Sequence, residues 1–250
     1  SSNTFTKAEL RQLVRPALDF ASTASIEQLS GEIMSRRQWI KQLTALGIAT
    51  RLSLLNAAWA AGKKFAAPGI QKIQGEVRIN GQTARVGMQV KAGDSISTGP
   101  ASEVIYVIGQ DAYLQREDSV VTLAADVLKD GLRIISGKLL SVFGKGNKRL
   151  VTATATIGIR GTGCYIESSP EKVYFCLCYG TAEVVPIAAP DQRETITTRY
   201  HDHPIYLHAS GEQMMVPASV INHTDAELIL LESLVGRLPP FYNSGYSPRY

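Results

Sequence analysis

The sequence predicts a mainly β domain, a β-sandwich or solenoid-like fold, with a helical segment ahead of it and one short helix behind it. Three observations carry that reading. Between residues 70 and 210, short runs rich in valine, isoleucine and threonine are separated by turn signals at Asn80-Gly81, Gly93-Asp94, Gly99-Pro100, Asp130-Gly131 and Gly144 to Asn147. Turns spaced that regularly argue for an all-β architecture and against βαβ units. Leu10, Leu13, Val14, Ala17, Leu18 and Ala21 follow helical spacing near the start. Asp225 to Val235 repeats such a pattern near the end, with Thr224 or Asp225 as its cap and Gly236 as its stop.

Taken in order, residues 1–61 form a helical leader. Thr6-Lys-Ala-Glu9 has the spacing of a capping box, Pro16 kinks or limits the first helix, and Ser25-Ile-Glu-Gln28 offers a second start. Ser35-Arg36-Arg37-Gln-Trp-Ile-Lys41 resembles the twin-arginine export motif, and the apolar stretch from Leu43 to Ala60 ends in Ala58-Trp-Ala60, a small-x-small cleavage pattern. Arg51 interrupts that stretch at an insertion cost of about 2.5–3.5 kcal/mol, which favours cleavage over a retained anchor, although 43–61 is long enough for membrane association. A Gly/Lys/Ala/Pro linker over 62–70 leads into the β-domain, 70–210, and residues 211–250 supply the last helix and a tail.

Composition bounds the function. The 250 residues are 44% hydrophobic and 19% charged with a formal net charge of +4, the balance of a folded chain and not of a disordered one. The basic residues are scattered, so no nucleic-acid surface is expected. No Gly-x-Ser-x-Gly elbow, phosphate-binding loop or His-Glu-x-x-His motif occurs, and the expectation is of no enzyme.

Five blocks in order carry a family resemblance: Gly75-Glu-Val-Arg-Ile-Asn-Gly-Gln82, Val90-Lys-Ala-Gly-Asp-Ser-Ile-Ser-Thr-Gly99, Gly137-Lys-Leu-Leu-Ser-Val142, Thr152 to Thr162, and Tyr179-Gly-Thr-Ala-Glu-Val-Val185. Together they resemble the FecR-type domain, the periplasmic domain of iron-dicitrate sensor regulators. The resemblance implies a β-rich periplasmic fold that binds partners and relays signals. It also makes Arg160, Gly161 and Thr162 the counterpart of the family's Arg-Gly-Thr signature. These three are read as architectural, with the Arg160 side chain tying a kinked strand to neighbouring carbonyls. The chain departs from that family in lacking a long tryptophan-bearing region that binds a sigma factor. A scaffold or accessory role in an envelope complex is therefore as well supported as a sigma-factor role.

Chemistry concentrates in two clusters. Cys164, Cys176 and Cys178 are the only thiols. Residues two apart on a strand share a face, so Cys176 and Cys178 point together. An odd-length turn near 168–171 puts Cys164 on that face; a four-residue turn puts it on the other. Three readings stand: a zinc or iron–sulfur site, a cross-strand disulfide with one thiol left over, or three buried small hydrophobes. The histidines crowd into 201–223. On a strand His201 and His203 face one way with Asp202 opposite, a spacing for zinc or copper or else for a hydrogen-bonded edge, and His223 reads as part of a helix cap. The default expectation is no cofactor, with zinc or iron–sulfur as the alternative.

The last fifth of the chain gathers Tyr200, Tyr206, Phe241, Tyr242, Tyr246 and Tyr250. Tyrosine combines apolar area with a polar tip, and the region is read as a docking element for an envelope protein partner.

Overall fold

A computed structural model of the protein describes residues 65–124 and 132–243. The leader, Arg36 and Arg37 of the export-like motif, the stretch 43–61, and Tyr246 and Tyr250 lie outside the described residues.

The described chain is mainly β, as the turn spacing implies. Strands β1 (Gly69–Gln74), β2 (Val77–Ile79), β3 (Gln82–Thr83), β4 (Ser95–Thr98), β5 (Glu103–Ile108), β6 (Asp111–Gln115) and β7 (Ser119–Leu123) are short. They are followed by the long β8 (Leu132–Val142), β9 (Asn147–Val151), and the two longest, β10 (Ala155–Ser168) and β11 (Lys172–Pro186). Three more, β12 (Glu194–Thr198), β13 (Ile205–His208) and β14 (Met215–Pro217), precede α1 (Asp225–Leu234), the one α-helix among the described residues. Hydrogen bonds join the strands into one open sheet with the spine β14-β13-β11-β10-β9-β8-β7-β4-β2-β3. Pairing is antiparallel except between β8 and β9.

Strand alternation divides the apolar residues between two cores. On β11, Val173, Phe175 and Leu177 enter one core, shared with Ile166 and Cys164 of β10 and Leu139 of β8. Their neighbours Tyr174, Cys176 and Cys178, with Tyr165 and Leu140, enter the other, where Leu228, Leu231 and Leu234 of α1 cover them. Fully burying a side chain of this size contributes about 1.5–3 kcal/mol. The face bearing Cys176 and Cys178 is therefore held dry by the helix.

The Arg-Gly-Thr segment makes a bulge in β10: its register against β11 shifts between Arg160 and Gly163 and again before Cys164. Gly161 takes φ +52° at this kink, and Thr162 is buried. Gly163 lies under the Tyr179 ring, where an added Cβ would come within 2.6 Å of it. The expected role of Arg160 is corrected. Its side chain is exposed. Its backbone pairs with Asn147 and Thr181 on either side, so the neighbouring strands do the work expected of the guanidinium. Arg160→Ala should change stability by no more than about 0.5 kcal/mol, read as an unchanged thermal melt.

Helix α1 starts and stops as its sequence dictates. Thr224 caps it in a complete box: its hydroxyl accepts from the Glu227 amide, and Glu227 accepts from the Thr224 amide at 2.9 Å. Gly236, at φ +71°, follows its end. Arg116 of the segment between β6 and β7 donates to the Asn222 carbonyl and to Glu227 at 2.9 Å each. Glu232 accepts from Tyr179 at 2.5 Å and from Arg237 at 2.6 Å. These bonds fix α1 on the sheet and, with it, the residues that precede it.

Candidate metal centre

Under the start of α1, four buried side chains converge from three separate segments. Cys176 and Cys178 come from β11, His201 from the bend after β12, and His223 from the residue before the helix cap. One donor atom of each lies within 4.8 Å of every other.

Each segment is shaped for this. Strand alternation turns the two cysteines to one side. The bend is tied by Asp202, whose carboxyl oxygen accepts from the Thr198 hydroxyl at 2.8 Å and from the Arg199 amide at 3.1 Å. The bend places His201 at φ +50°, and the His201 amide donates to the Cys178 carbonyl at 3.0 Å. Left-handed backbone is uncommon outside glycine and costs on the order of 1–2 kcal/mol, so surrounding structure must hold it. Asn222, next to His223, is also left-handed at φ +53°. Both imidazoles are thus aimed by backbone conformations that no run of strand or helix would give.

Cys176 Sγ lies 3.5 Å from His201 Nδ1, Cys178 Sγ lies 3.5 Å from His223 Nε2, and the two nitrogens are 3.1 Å apart. Zinc binds thiolate at about 2.3 Å and imidazole at about 2.0–2.1 Å, so a regular tetrahedron has S–N edges of about 3.5 Å and N–N edges of about 3.3 Å. These three spacings are close to the corresponding edges of such a tetrahedron, and the remaining donor pairs lie within 4.8 Å.

The outer ring nitrogens fix the tautomers. His223 Nδ1 is 2.6 Å from the Ile221 carbonyl, which only accepts, so Nδ1 carries the proton. His201 Nε2 is 3.2 Å from Asp225 Oδ1, and the other Asp225 oxygen accepts from Tyr200 at 2.5 Å. His201 thus turns Nδ1 inward and His223 turns Nε2 inward. The two nitrogens are 3.1 Å apart, within reach of a hydrogen bond through a proton on His201 Nδ1, and a bound cation would take that proton's place. Orientation of a ligand histidine through its other nitrogen by a carboxylate or carbonyl is the usual support of a metal site.

The electrostatics agree. The hydrogen bond from Cys178, aided by His201 and His223, holds the Cys176 thiol well below its ordinary range against the effect of burial. Burial pushes the Cys178 thiol up. For His201, burial opposes a charged ring, but hydrogen bonds to Asp225 and Cys176 outweigh it and raise the pKa to about 9. Without an ion, the positive charge at the centre is therefore the proton on His201, which a bound cation would displace. Tyr165 stacks on His223 at 4.7 Å, and Tyr200 meets His201 edge-on at 5.0 Å. Phe241 packs on Tyr200 at 5.2 Å, walling the centre from water.

Two residues expected here lie elsewhere. Cys164 pairs with Leu177 across the hairpin, the register of a four-residue turn, and so enters the opposite core. His203 is exposed, because the bend at His201 breaks the alternation that would have aligned the two. All three cysteines are unbridged, in place of the cross-strand disulfide. His223, read from sequence as cap, takes the fourth position; its signal is Asp225 two residues on, which supports the other histidine.

No family model matches the chain, and no curated protein matches it. Two crystal structures of a candidate anti-sigma factor from Parabacteroides distasonis are similar in fold over 50% of this chain and 58% of that one. Identities are 11% and 10% and TM-scores 0.41 and 0.40. The match spans less than two thirds of that protein, and so remote a likeness assigns no role to any residue here.

Proposed function

We propose that this chain is a non-catalytic, exported binding module of the cell envelope, with a scaffold or signalling role of the FecR-like kind its five sequence blocks resemble, and that its Cys/His centre holds a metal ion. The observation that carries the non-catalytic part is closure. Cys176, Cys178, His201 and His223 are all buried and complete a four-donor set by themselves. A catalytic metal keeps a position open for water or substrate, whereas a structural one is closed by protein ligands. Metal analysis of protein purified under reducing conditions should give one metal per chain. A metal-free protein of full stability contradicts the metal part.

Export is supported by the Ser35-Arg36-Arg37 segment. Replacing Arg36 and Arg37 by lysine should leave the protein in the cytoplasm; unchanged periplasmic recovery contradicts this. Among the described residues no helix is long and apolar enough to cross a membrane.

The partner reading narrows to a smaller surface. Tyr200 and Phe241 are buried against the chain's own sheet and helix. Leu238 and Tyr242 are 40% and 37% exposed, and they serve the proposed docking. Leu238→Asp with Tyr242→Asp should lose envelope partners on co-purification while leaving the melt unchanged. Deleting 238–250 is a poorer test, since it removes Phe241 from the core.

A further inference from the structure

We infer that the centre takes a single divalent ion of the zinc class, and that this ion clips the segment from the 199–203 bend to α1 onto the sheet. The inference rests on the reading that the Cys/His centre holds a metal.

One ion fits where a cluster does not. An iron–sulfur site with two cysteines and two histidines divides them between two irons, cysteines on one and histidines on the other. Here each sulfur lies 3.5 Å from a different imidazole nitrogen, so cysteine and histidine share one centre. The charges also close. In the bound form two thiolates and one divalent cation sum to zero and two neutral imidazoles lend lone pairs, the protons that the ion displaces passing to solvent. A neutral centre is what the apolar surroundings of Tyr165, Tyr200, Leu228 and Phe241 tolerate. Thiolate and imidazole together select zinc over the oxygen-seeking magnesium or calcium.

The clip follows from where the ligands sit. His201 and His223 belong to stretches that contribute little strand pairing of their own: the bend, and the loop after β14. Each is joined through the ion to β11 at the centre of the sheet. Closing long loops at one point removes freedom from the opened state, the circumstance in which a cross-link contributes most. Without an ion, only hydrogen bonds join the two imidazoles to β11 and to each other. The region that loosens is then the one they anchor, not the β-core. Asp225 joins the two effects, since it caps the outer nitrogen of His201 and is the first residue of α1.

The test uses the full chain, stripped with a chelator under reducing conditions and then titrated with zinc. Mass spectrometry reads stoichiometry, and hydrogen exchange reads local opening. One zinc per chain should bind, and amides of 200–235 should exchange roughly tenfold slower or more with zinc, while β5, β6 and β10 change little. Cobalt in place of zinc should show the absorption of a tetrahedral site with thiolate ligands. If zinc binds and exchange in α1 stays the same, the clip is wrong and the metal reading stands. If no zinc binds, both fail. If exchange slows equally throughout the sheet, the ion stabilises the whole fold and the clip is overturned.

Discussion

Cys176→Ser is expected to abolish metal retention and lower the melting temperature by about 5–15 °C, the product of a 2–5 kcal/mol loss and the shift per kcal/mol of a domain this size. The magnitude follows from what remains. Serine is a poor ligand, so the ion is lost, and Cys178, His201 and His223 stay buried around a centre with no cation. Cys164→Ala is the matched control. Its thiol packs in the opposite core, so it costs only a small cavity, about 1 kcal/mol. Metal content of the control should be unchanged. Equal metal content in both variants would show that Cys176 holds no ion.

Gly137→Ala is expected to be at least as damaging, by a different route. Gly137 sits in β8 at φ +94°, and an added Cβ would lie 2.4 Å from the Ser119 Cα and 2.1 Å from its Oγ. The clash is with backbone, so rotating a side chain does not relieve it. The Ser119 hydroxyl also accepts from the Lys138 amide at 2.8 Å and donates to the Glu117 carbonyl at 2.8 Å, so displacing it breaks the local pairing of β7 and β8. Left-handed strain of about 1–2 kcal/mol adds to the steric cost, and a total above about 4 kcal/mol places the variant among the severe substitutions. Failure to fold, read as loss of a cooperative melt, is the expected outcome. A melt within a few degrees of the parent would contradict it.

What the sequence made legible were features whose cause is local. Asn80-Gly81 forms the β2–β3 turn with both residues at positive φ, as that pair demands. Thr224, one of the two cap candidates, marks the helix start, and Gly236 follows its end. The shared face of Cys176 and Cys178 follows from strand period alone. The centre itself was only half legible, because its geometry is tertiary. His201 was visible as a candidate, but its left-handed backbone breaks the period that would have enlisted His203. His223 looked like part of a cap because it adjoins one, and its partner Cys178 is far along the chain. Arg160 misled for the opposite reason: a charged residue in a kinked strand suggests unpaired carbonyls, yet two flanking strands satisfy the backbone there. The aromatic content after residue 200 read as a partner surface, although Tyr200 and Phe241 wall the centre from within.

X-ray absorption at the metal edge of protein purified from its native host tests the central claim most directly. One zinc per chain is expected, with about two sulfur neighbours near 2.3 Å and two nitrogen neighbours near 2.0–2.1 Å. A shell of light atoms alone, a metal–metal distance typical of a cluster, or no bound metal would contradict the assignment of Cys176, Cys178, His201 and His223 to one tetrahedral ion.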